Sequence, residues 1–128
     1  MRRRYGLALN AKEFALEAVR LLNEKKAVDV ILLDLANVSL IADYFIICNG
    51  TSKIQTRALC DHLLENLPGE EGYSLLRVEG YRDASWILMD YGVLVIHIFI
   101  AEERSFYNLE RLWGKATVID SEPSTASS

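Results

Sequence analysis

Cysteine is scarce in this chain, and its two cysteines do not form a recognisable pair. Cys48 and Cys60 fit neither a C-x-x-C motif nor a zinc-ligand spacing, which favours reduced thiols over a disulfide or a structural metal. No apolar run reaches the roughly 18 residues that a membrane-spanning helix requires. A signal-peptide apolar region is also missing. We therefore expect a cytoplasmic protein without a metal site.

Basic charge is also in short supply. Lys and Arg number 14 against 18 Asp and Glu, for a formal net charge of −4. Three of the basic residues stand together as Arg2-Arg3-Arg4; without them, 11 basic groups face 18 acidic ones, a balance of −7. Such an acidic domain is a poor partner for the phosphates of nucleic acids and suits a basic protein. The arginine triplet could contact RNA or lipid, but a solvated arm is the favoured interpretation.

The length of 128 residues fits one domain, large enough to bury a core without metal or disulfide cross-links. We predict a flexible basic arm at residues 1–9, a folded domain at 10–120 and a disordered tail at 121–128. Apart from Glu122, the tail consists of Ser, Thr, Ala and Pro, with too little apolar surface to fold.

Hydrophobic periodicity predicts an α/β (α+β) fold, with a single mixed five-stranded sheet flanked by about three helices. Two helix starts are marked by Asn10 with Glu13 and by Ser52 with Gln55, each an N-cap with a reach-back partner. A third helix is predicted at 102–113. The strands are predicted at 28–35, 44–48, 73–78, 86–89 and 93–100. The first two should pair antiparallel because their connection is short, and a right-handed crossover should lead from the second to the third.

The segment Val93 to Ile100 is apolar at both alternating positions, which is typical of a strand covered on both faces in the middle of a sheet. Only Asp90-Tyr91-Gly92 separates it from the strand that begins at Trp86. Since Gly92 tolerates the positive φ of a tight turn, we predict a hairpin whose tip carries a carboxylate and a phenol.

Three aspartates suggest an enzyme as an alternative. Asp34, Asp43 and Asp90 could converge at one end of the sheet and hold Mg²⁺, and the segment 50–52 could bind phosphate at a helix start. Together they would suit a Mg²⁺-dependent nucleotidyltransferase. Such enzymes need two carboxylates one residue apart about one helical turn after a Gly-Ser turn, whereas here a full amphipathic helix follows the segment 50–52 and no such pair stands at that distance. For these three aspartates, roles as turn-capping and surface carboxylates are therefore favoured over metal binding.

Two further groups of residues have competing interpretations. His97 could act as a general base, but no nucleophile is paired with it, which favours a core or interface histidine. Trp86 is either a core residue, with Asp90-Tyr91 an ordinary turn beside it, or part of a protein-binding hot spot. In the second interpretation it faces a cationic partner together with Glu79-Gly80 and Asp90-Tyr91. A dimerisation module is a third hypothesis, in which a second copy covers a strand-five face with His97, Phe99 and Phe106.

The chain closely resembles the ribosomal silencing factor family, also called the Iojap or RsfS family, from residue 11 to about 118. The motifs that carry the resemblance are Ala42-Asp43-Tyr44-Phe45-Ile46-Ile47-Cys48-Asn49-Gly50-Thr51-Ser52 with Gln55, Glu79-Gly80 with Trp86, Asp90-Tyr91-Gly92, His97-Ile98-Phe99, and Arg104 with Phe106-Tyr107-Leu109-Glu110-Leu112-Trp113. One departure is Val93, because the family usually has Asp after the glycine of the turn.

The resemblance implies a bacterial-type cytoplasmic protein that binds the large ribosomal subunit at ribosomal protein fourteen, blocks joining of the small subunit and represses translation. It also implies a nucleotidyltransferase-like fold without enzymatic activity, no cofactor, and frequent homodimers. Our hypothesis is a translation-silencing factor whose partner-binding residues are Glu79, Gly80, Trp86, Asp90 and Tyr91, with Asp43, Tyr44 and His97 as further members.

Overall fold

A computed structural model of the chain describes residues 10–35, 42–67, 73–101 and 117–119. Within these residues, six strands form one mixed sheet in the order β3-β4-β5-β2-β1-β6. The elements along the chain are α1 (Ala11–Glu24), β1 (Val28–Asp34), β2 (Tyr44–Gly50), α2 (Lys53–Asn66), β3 (Arg77–Glu79), β4 (Trp86–Asp90), β5 (Leu94–Ile100) and β6 (Thr117–Ile119). The mixed α/β class is therefore confirmed.

Both described helices begin at the predicted caps. Asn10 and Glu13 form a reciprocal capping box: the Glu13 N–H donates to Asn10 Oδ1 at 2.8 Å and the Asn10 N–H to Glu13 Oε1 at 3.0 Å. Ser52 caps α2 by accepting from the Gln55 N–H. The Gln55 side chain turns to Thr51 instead, and its Oε1 accepts from the Thr51 N–H at 2.6 Å. Neither helix is long and apolar enough to cross a membrane.

The central strands pair as the sequence predicts. β1 and β2 are antiparallel, and β4 and β5 form the predicted antiparallel hairpin. β5 also pairs with β2 in parallel along its whole length. Because β5 has a strand on each side and is buried at almost every position, it lies in the middle of the sheet.

The sheet differs from the prediction at its two edges. β6 pairs antiparallel with β1 and adds a sixth strand, which three residues are too few to reveal by periodicity. β3 is shorter than predicted. It runs parallel to β2, but the β4–β5 hairpin separates the two strands. The predicted arm, third helix and tail lie outside the described residues.

The two faces of the sheet have different environments. On one of them, here called the helix face, α1 and α2 pack over a core that includes Phe14, Leu22, Ile46, Leu63, Ile87 and Ile96. On the other, the second face, a smaller core is formed by Leu33, Leu35, Ile47 and Phe99, with Ile31, Phe45 and Trp86 packed against it. Strand alternation directs each side chain to one face or the other, so the candidate functional residues are distributed between the helix face and the second face.

Candidate functional site

Five residues of the neighbouring strands β3 and β4 share the second face of the sheet. Trp86, Leu88 and Asp90 alternate with the buried Ile87 and Met89 of the helix face. Leu88 pairs with Glu79 and Asp90 with Arg77, and directly paired residues project to the same side of a sheet. We call these five second-face residues, Arg77, Glu79, Trp86, Leu88 and Asp90, the β3–β4 surface. The structure thus brings together three of the predicted contact residues.

An aromatic cluster lies on the second face beside the β3–β4 surface. It consists of Phe45, Trp86, His97 and Phe99. The rings of Trp86 and Phe99 are stacked with centroids 5.0 Å apart, and those of Phe45 and His97 are 4.7 Å apart. The Trp86 indole Nε1–H donates a hydrogen bond to His97 Nδ1 at 3.0 Å. Packing and this hydrogen bond together hold the half-buried indole in a defined place on the sheet.

His97 is only 4% exposed, and burial lowers its pKa to about 4. Desolvation has this effect because it disfavours the charged imidazolium. His97 is therefore neutral near pH 7, as it must be for Nδ1 to accept a hydrogen bond from Trp86. The structure supports the core or interface role of His97.

The burial of His97 predicts a specific pH dependence of stability. In the unfolded chain its pKa returns to about 6.5, whereas the folded value is about 4. Between these values the unfolded state binds the proton more readily, so the free energy of unfolding should fall as the pH drops from 6.5 to 4. The full loss is about 3 kcal/mol. Urea denaturation of wild type and His97→Asn at pH 7 and pH 4.5 measures it, and the same pH dependence in both proteins would contradict it.

The carboxylates of the β3–β4 surface are partly neutralised by one guanidinium. Arg77 lies 3.4 Å from Asp90 and 3.3 Å from Glu79, measured between nitrogen and oxygen atoms. Asp90 Oδ1 also accepts from the Gly92 N–H at 2.8 Å, which closes the hairpin turn. Exposed ion pairs of this kind contribute at most about 1 kcal/mol each. Two carboxylates facing one cation leave the surface with a net negative charge.

Tyr91 does not lie where the partner-binding hypothesis requires. Its side chain is 2% exposed and packs edge-on against Phe14 of α1, with ring centroids 5.4 Å apart. Burial raises its pKa to about 12. The alternation of β4 continues one residue past Asp90 and directs Tyr91 to the helix face, so its phenol is a core group. We correct the prediction accordingly and remove Tyr91 from the contact set.

Gly80 has a conformational role at the end of β3. Its φ is +82°, and a Cβ there would lie 2.1 Å from the carbonyl oxygen of Trp86. Any other residue would therefore meet the backbone of the strand that carries the indole. Gly80 positions Trp86 through this close approach of two backbone segments.

The loop of residues 80–85, between β3 and β4, is held against α2 by hydrogen bonds. Arg57 donates from Nε to the Tyr81 carbonyl at 3.1 Å and from Nη2 to the Arg82 carbonyl at 2.6 Å. Thr56, which is fully buried, donates from its hydroxyl to the Ala84 carbonyl at 2.7 Å. These contacts hold Ala84 at a φ of +65°, a conformation that is unfavourable for residues other than glycine. The helix thereby supports the loop that leads into Trp86.

Asp43 and Tyr44 lie apart from the β3–β4 surface, at the start of β2. Their N–H groups both donate to the Val93 carbonyl at 2.9 Å. The Tyr44 ring packs against the helix-face core, and burial, followed by the charges of Asp34 and Asp43, raises its pKa. Val93, where the family usually has Asp, also packs against this core. The structure therefore does not group these residues with Trp86.

The three aspartates of the enzyme alternative share one end of the sheet without converging. Asp34 pairs with Tyr44 on the helix-face side, whereas Asp90 belongs to the β3–β4 surface. Within the described parts of the chain, no group of three His, Cys, Asp or Glu side chains could hold a metal ion. In the segment 50–52, which was considered for phosphate binding, the backbone N–H of Thr51 donates to the Gln55 side chain, and the Ser52 hydroxyl accepts from the Gln55 N–H.

The sequence interpretation missed several members of the site. Arg77 and Leu88 belong to the β3–β4 surface, and Phe45 belongs to the aromatic cluster; Phe99 was considered with His97 only as part of a dimer face. Strand alternation could have revealed Leu88, because it has the same parity as Trp86. The same rule extended past Asp90 would have placed Tyr91 in the core.

Comparison with known proteins gives a consistent family assignment. The family model described as "Ribosomal silencing factor during starvation" matches residues 8–128. A curated relative from Halalkalibacterium halodurans, named ribosomal silencing factor RsfS, is 44% identical over 105 residues, which cover 82% of this chain and 89% of the relative. This chain belongs to the ribosomal silencing factor family.

Further similar proteins include one with a mitochondrial name and one with a solved structure. A Mus musculus relative named "Mitochondrial assembly of ribosomal large subunit protein 1" is 31% identical over 97 residues, covering 74% of this chain and 42% of the relative. A crystal structure of a protein from Bacillus halodurans is 38% identical, with a TM-score of 0.73, and covers 85% of this chain and 98% of that chain. The silencing-factor family thus supplies the fold as well as the sequence motifs, and it indicates a ribosome-associated regulator of translation.

Proposed function

We propose that this protein binds the large ribosomal subunit through ribosomal protein fourteen, blocks association of the small subunit and thereby represses translation. Membership of a family described by ribosomal silencing during starvation supports the regulatory role. The printed name of the mouse relative, which refers to assembly of the ribosomal large subunit, supports that subunit as the partner. We further propose that the protein acts in the cytoplasm, without a cofactor and without enzymatic activity.

The observation that carries the proposal is the composition of the β3–β4 surface. A half-buried Trp86 stands on a strand beside Asp90, with Glu79 on the neighbouring strand. Tryptophan is enriched among residues that dominate binding energy, and the carboxylates complement a cationic protein. Because α2 and the β4–β5 hairpin hold this surface, docking requires little ordering of the chain.

Charge and size agree with steric exclusion at the ribosome. Without Arg2-Arg3-Arg4 the chain has 11 basic and 18 acidic groups, which favours a basic ribosomal protein over RNA. A chain of this length has a radius of gyration of roughly 14 Å. Bound between two subunits that must nearly touch, such a body would keep them apart. An interface of about 1,200–2,000 Å² in total is sufficient for stable binding.

Two finer expectations remain part of the proposal. The first is a homodimer, which the family resemblance implies and which analytical ultracentrifugation of the free protein would detect. The second is a nucleotidyltransferase-like fold without the corresponding activity. Neither is needed for steric exclusion, because one copy at the subunit interface is enough.

Sedimentation with purified ribosomal subunits tests the proposal directly. We expect the protein to move with the large subunit and to lower the yield of joined ribosomes when the small subunit is added. A protein that stays at the top of the gradient while the large subunit sediments would disprove binding. Crosslinking from a probe at Glu79 should then identify ribosomal protein fourteen.

Trp86→Ala should weaken binding to the large subunit by about 2 kcal/mol or more, the loss typical of a hot-spot residue. Ile54→Ala is the matched control. Among the described residues, Ile54 is the most exposed large apolar side chain, at 79%, and it stands on α2 across the sheet from Trp86. Binding titrations with both variants, each checked for folding by circular dichroism, give the comparison. Equal affinity of Trp86→Ala and wild type would remove the β3–β4 surface from the interface.

A further inference from the structure

The hydrogen bond between Trp86 and His97 determines where the imidazole carries its proton. An indole N–H can only donate, and Trp86 Nε1 lies 3.0 Å from His97 Nδ1. Nδ1 must therefore present its lone pair. In the neutral ring the proton then belongs to Nε2, so His97 is held as the Nε2–H tautomer.

Among the described residues, the opposite nitrogen of the same ring has no hydrogen-bond partner. His97 Nε2 is buried and makes no hydrogen bond, and it is the one such side-chain atom within residues 10–35, 42–67 and 73–101. Since Nε2 carries the proton, an unsatisfied donor lies inside the second face. A buried donor without an acceptor is unfavourable relative to an apolar side chain of similar shape. His97 thus destabilises the fold at one nitrogen and orders Trp86 at the other.

The surroundings of His97 hold its ring in one orientation. Its centroid lies 4.7 Å from that of the Phe45 ring and 6.3 Å from that of the Phe99 ring, and the planes of the His97 and Phe99 rings are nearly parallel, at 10°. The Phe99 ring also stacks on Trp86. The direction of the Nδ1 lone pair is therefore fixed by packing, and the indole is fixed by that lone pair.

We propose that His97 is a positioning residue for partner binding: its Nδ1 acceptor holds the Trp86 indole in the orientation that the ribosomal partner contacts. This inference rests on the proposed function and refines it. Because the indole N–H is already directed at His97, the partner meets the carbon surface of the ring. The chemistry that fits this surface is a lysine or arginine side chain, whose cation complements Glu79 and Asp90 and whose aliphatic part packs against the exposed part of the half-buried indole.

Two substitutions separate positioning from general packing. His97→Asn keeps an acceptor oxygen on Cγ, where Nδ1 now stands, whereas His97→Leu has similar branching and no acceptor. We expect His97→Leu to lower the affinity for purified large subunits on the order of tenfold, a typical loss for one hydrogen bond. Its urea midpoint should change little, because the gain from removing the unsatisfied Nε2–H offsets the loss of the acceptor for the half-buried indole N–H. His97→Asn should bind within roughly threefold of wild type.

A double-mutant comparison tests whether His97 acts through Trp86. Trp86→Phe retains an aromatic ring and removes the N–H, so in that background His97→Leu should cause no further loss of affinity. Equal losses in both backgrounds would overturn the proposal. A loss of affinity that follows a loss of stability, with no rescue by His97→Asn, would also overturn it.

The tautomer can be measured without any substitution. Long-range proton–nitrogen correlation spectra of the free protein at pH 7 should show a protonated Nε2 and an unprotonated Nδ1 for His97. The reverse assignment would overturn the positioning role while leaving ribosome binding unaffected. If Trp86→Ala binds like wild type, both the proposed surface and this inference fail; if it weakens binding and His97→Leu does not, only the inference fails.

Discussion

Gly80→Ala should lower the free energy of unfolding by at least about 3 kcal/mol. The substitution places a residue with a side chain at a φ of +82° and sets its Cβ 2.1 Å from the Trp86 carbonyl oxygen. Left-handed strain alone is worth about 1–2 kcal/mol, and removing the overlap requires a shift of the β4 backbone. Urea denaturation followed by circular dichroism measures the change.

Gly92→Ala is the matched control for Gly80→Ala. Gly92 also has a positive φ, at +85°, but a Cβ there would meet no atom nearer than Leu76 Cδ1 at 3.8 Å. The free energy of unfolding of Gly92→Ala should therefore fall only by the backbone strain of about 1–2 kcal/mol. If the two variants are equally stable, the close approach between Gly80 and the Trp86 carbonyl oxygen does not add to the loss of stability, which contradicts the prediction. Folded Gly80→Ala protein should also bind the large subunit less tightly, because the strand that carries the indole has moved.

Tyr91→Ala should destabilise the protein by about 3–5 kcal/mol, the range for truncation of a large buried aromatic residue. The ring is 2% exposed and packs against Phe14, so its removal opens a cavity between the hairpin and α1. Thermal and urea denaturation would both report the loss.

Tyr91→Phe distinguishes a core role from a contact role for the same residue. The ring is retained, and no hydrogen bond of the hydroxyl is present among the described residues, so stability should change by less than about 1 kcal/mol. Affinity for the large subunit should equal that of wild type. A stable Tyr91→Phe protein that fails to bind would return Tyr91 to the contact set and contradict its assignment to the core.

These expectations assign different tasks to neighbouring residues. Gly80 and the α2 contacts of Thr56 and Arg57 set the backbone that leads into β4. Trp86 offers ring surface, and Glu79 supplies exposed negative charge. Substitutions of the first kind should lower stability and binding together, whereas those of the second kind should lower binding alone. Measuring both quantities for each variant therefore reveals the task of each residue.

Local features of the fold were predictable because local chemistry determines them. The cap formed by Asn10 with Glu13 depends on residues three apart, and it occurs as predicted. The hairpin around Gly92 follows from a short turn between two apolar segments. The central position of β5 follows from apolar residues at both parities. In each case the signal and the structure it specifies lie within a few residues of one another.

Features that depend on distant residues were not predictable in the same way. The separation of β3 from β2 by the hairpin reflects which strand edges pair across the whole sheet. The positive φ of Ala84 is stabilised by Thr56, which is 28 residues away along the chain. Neither leaves a periodic pattern, because the energy comes from tertiary contacts rather than from local propensity.

The sequence by itself determined the helix caps and the central hairpin, since each depends on residue types at short spacing. It also determined the family and the acidic balance of the chain, which follow from the residues themselves. Only the tertiary structure decided which of the candidate residues share a surface. One position along a strand reverses the face of a side chain, and this is why Trp86 and Asp90 lie beside Glu79 while Tyr91 is enclosed against Phe14. The pairing of β4 with β5 also brought His97 to Trp86, a contact that could not be predicted from either residue alone.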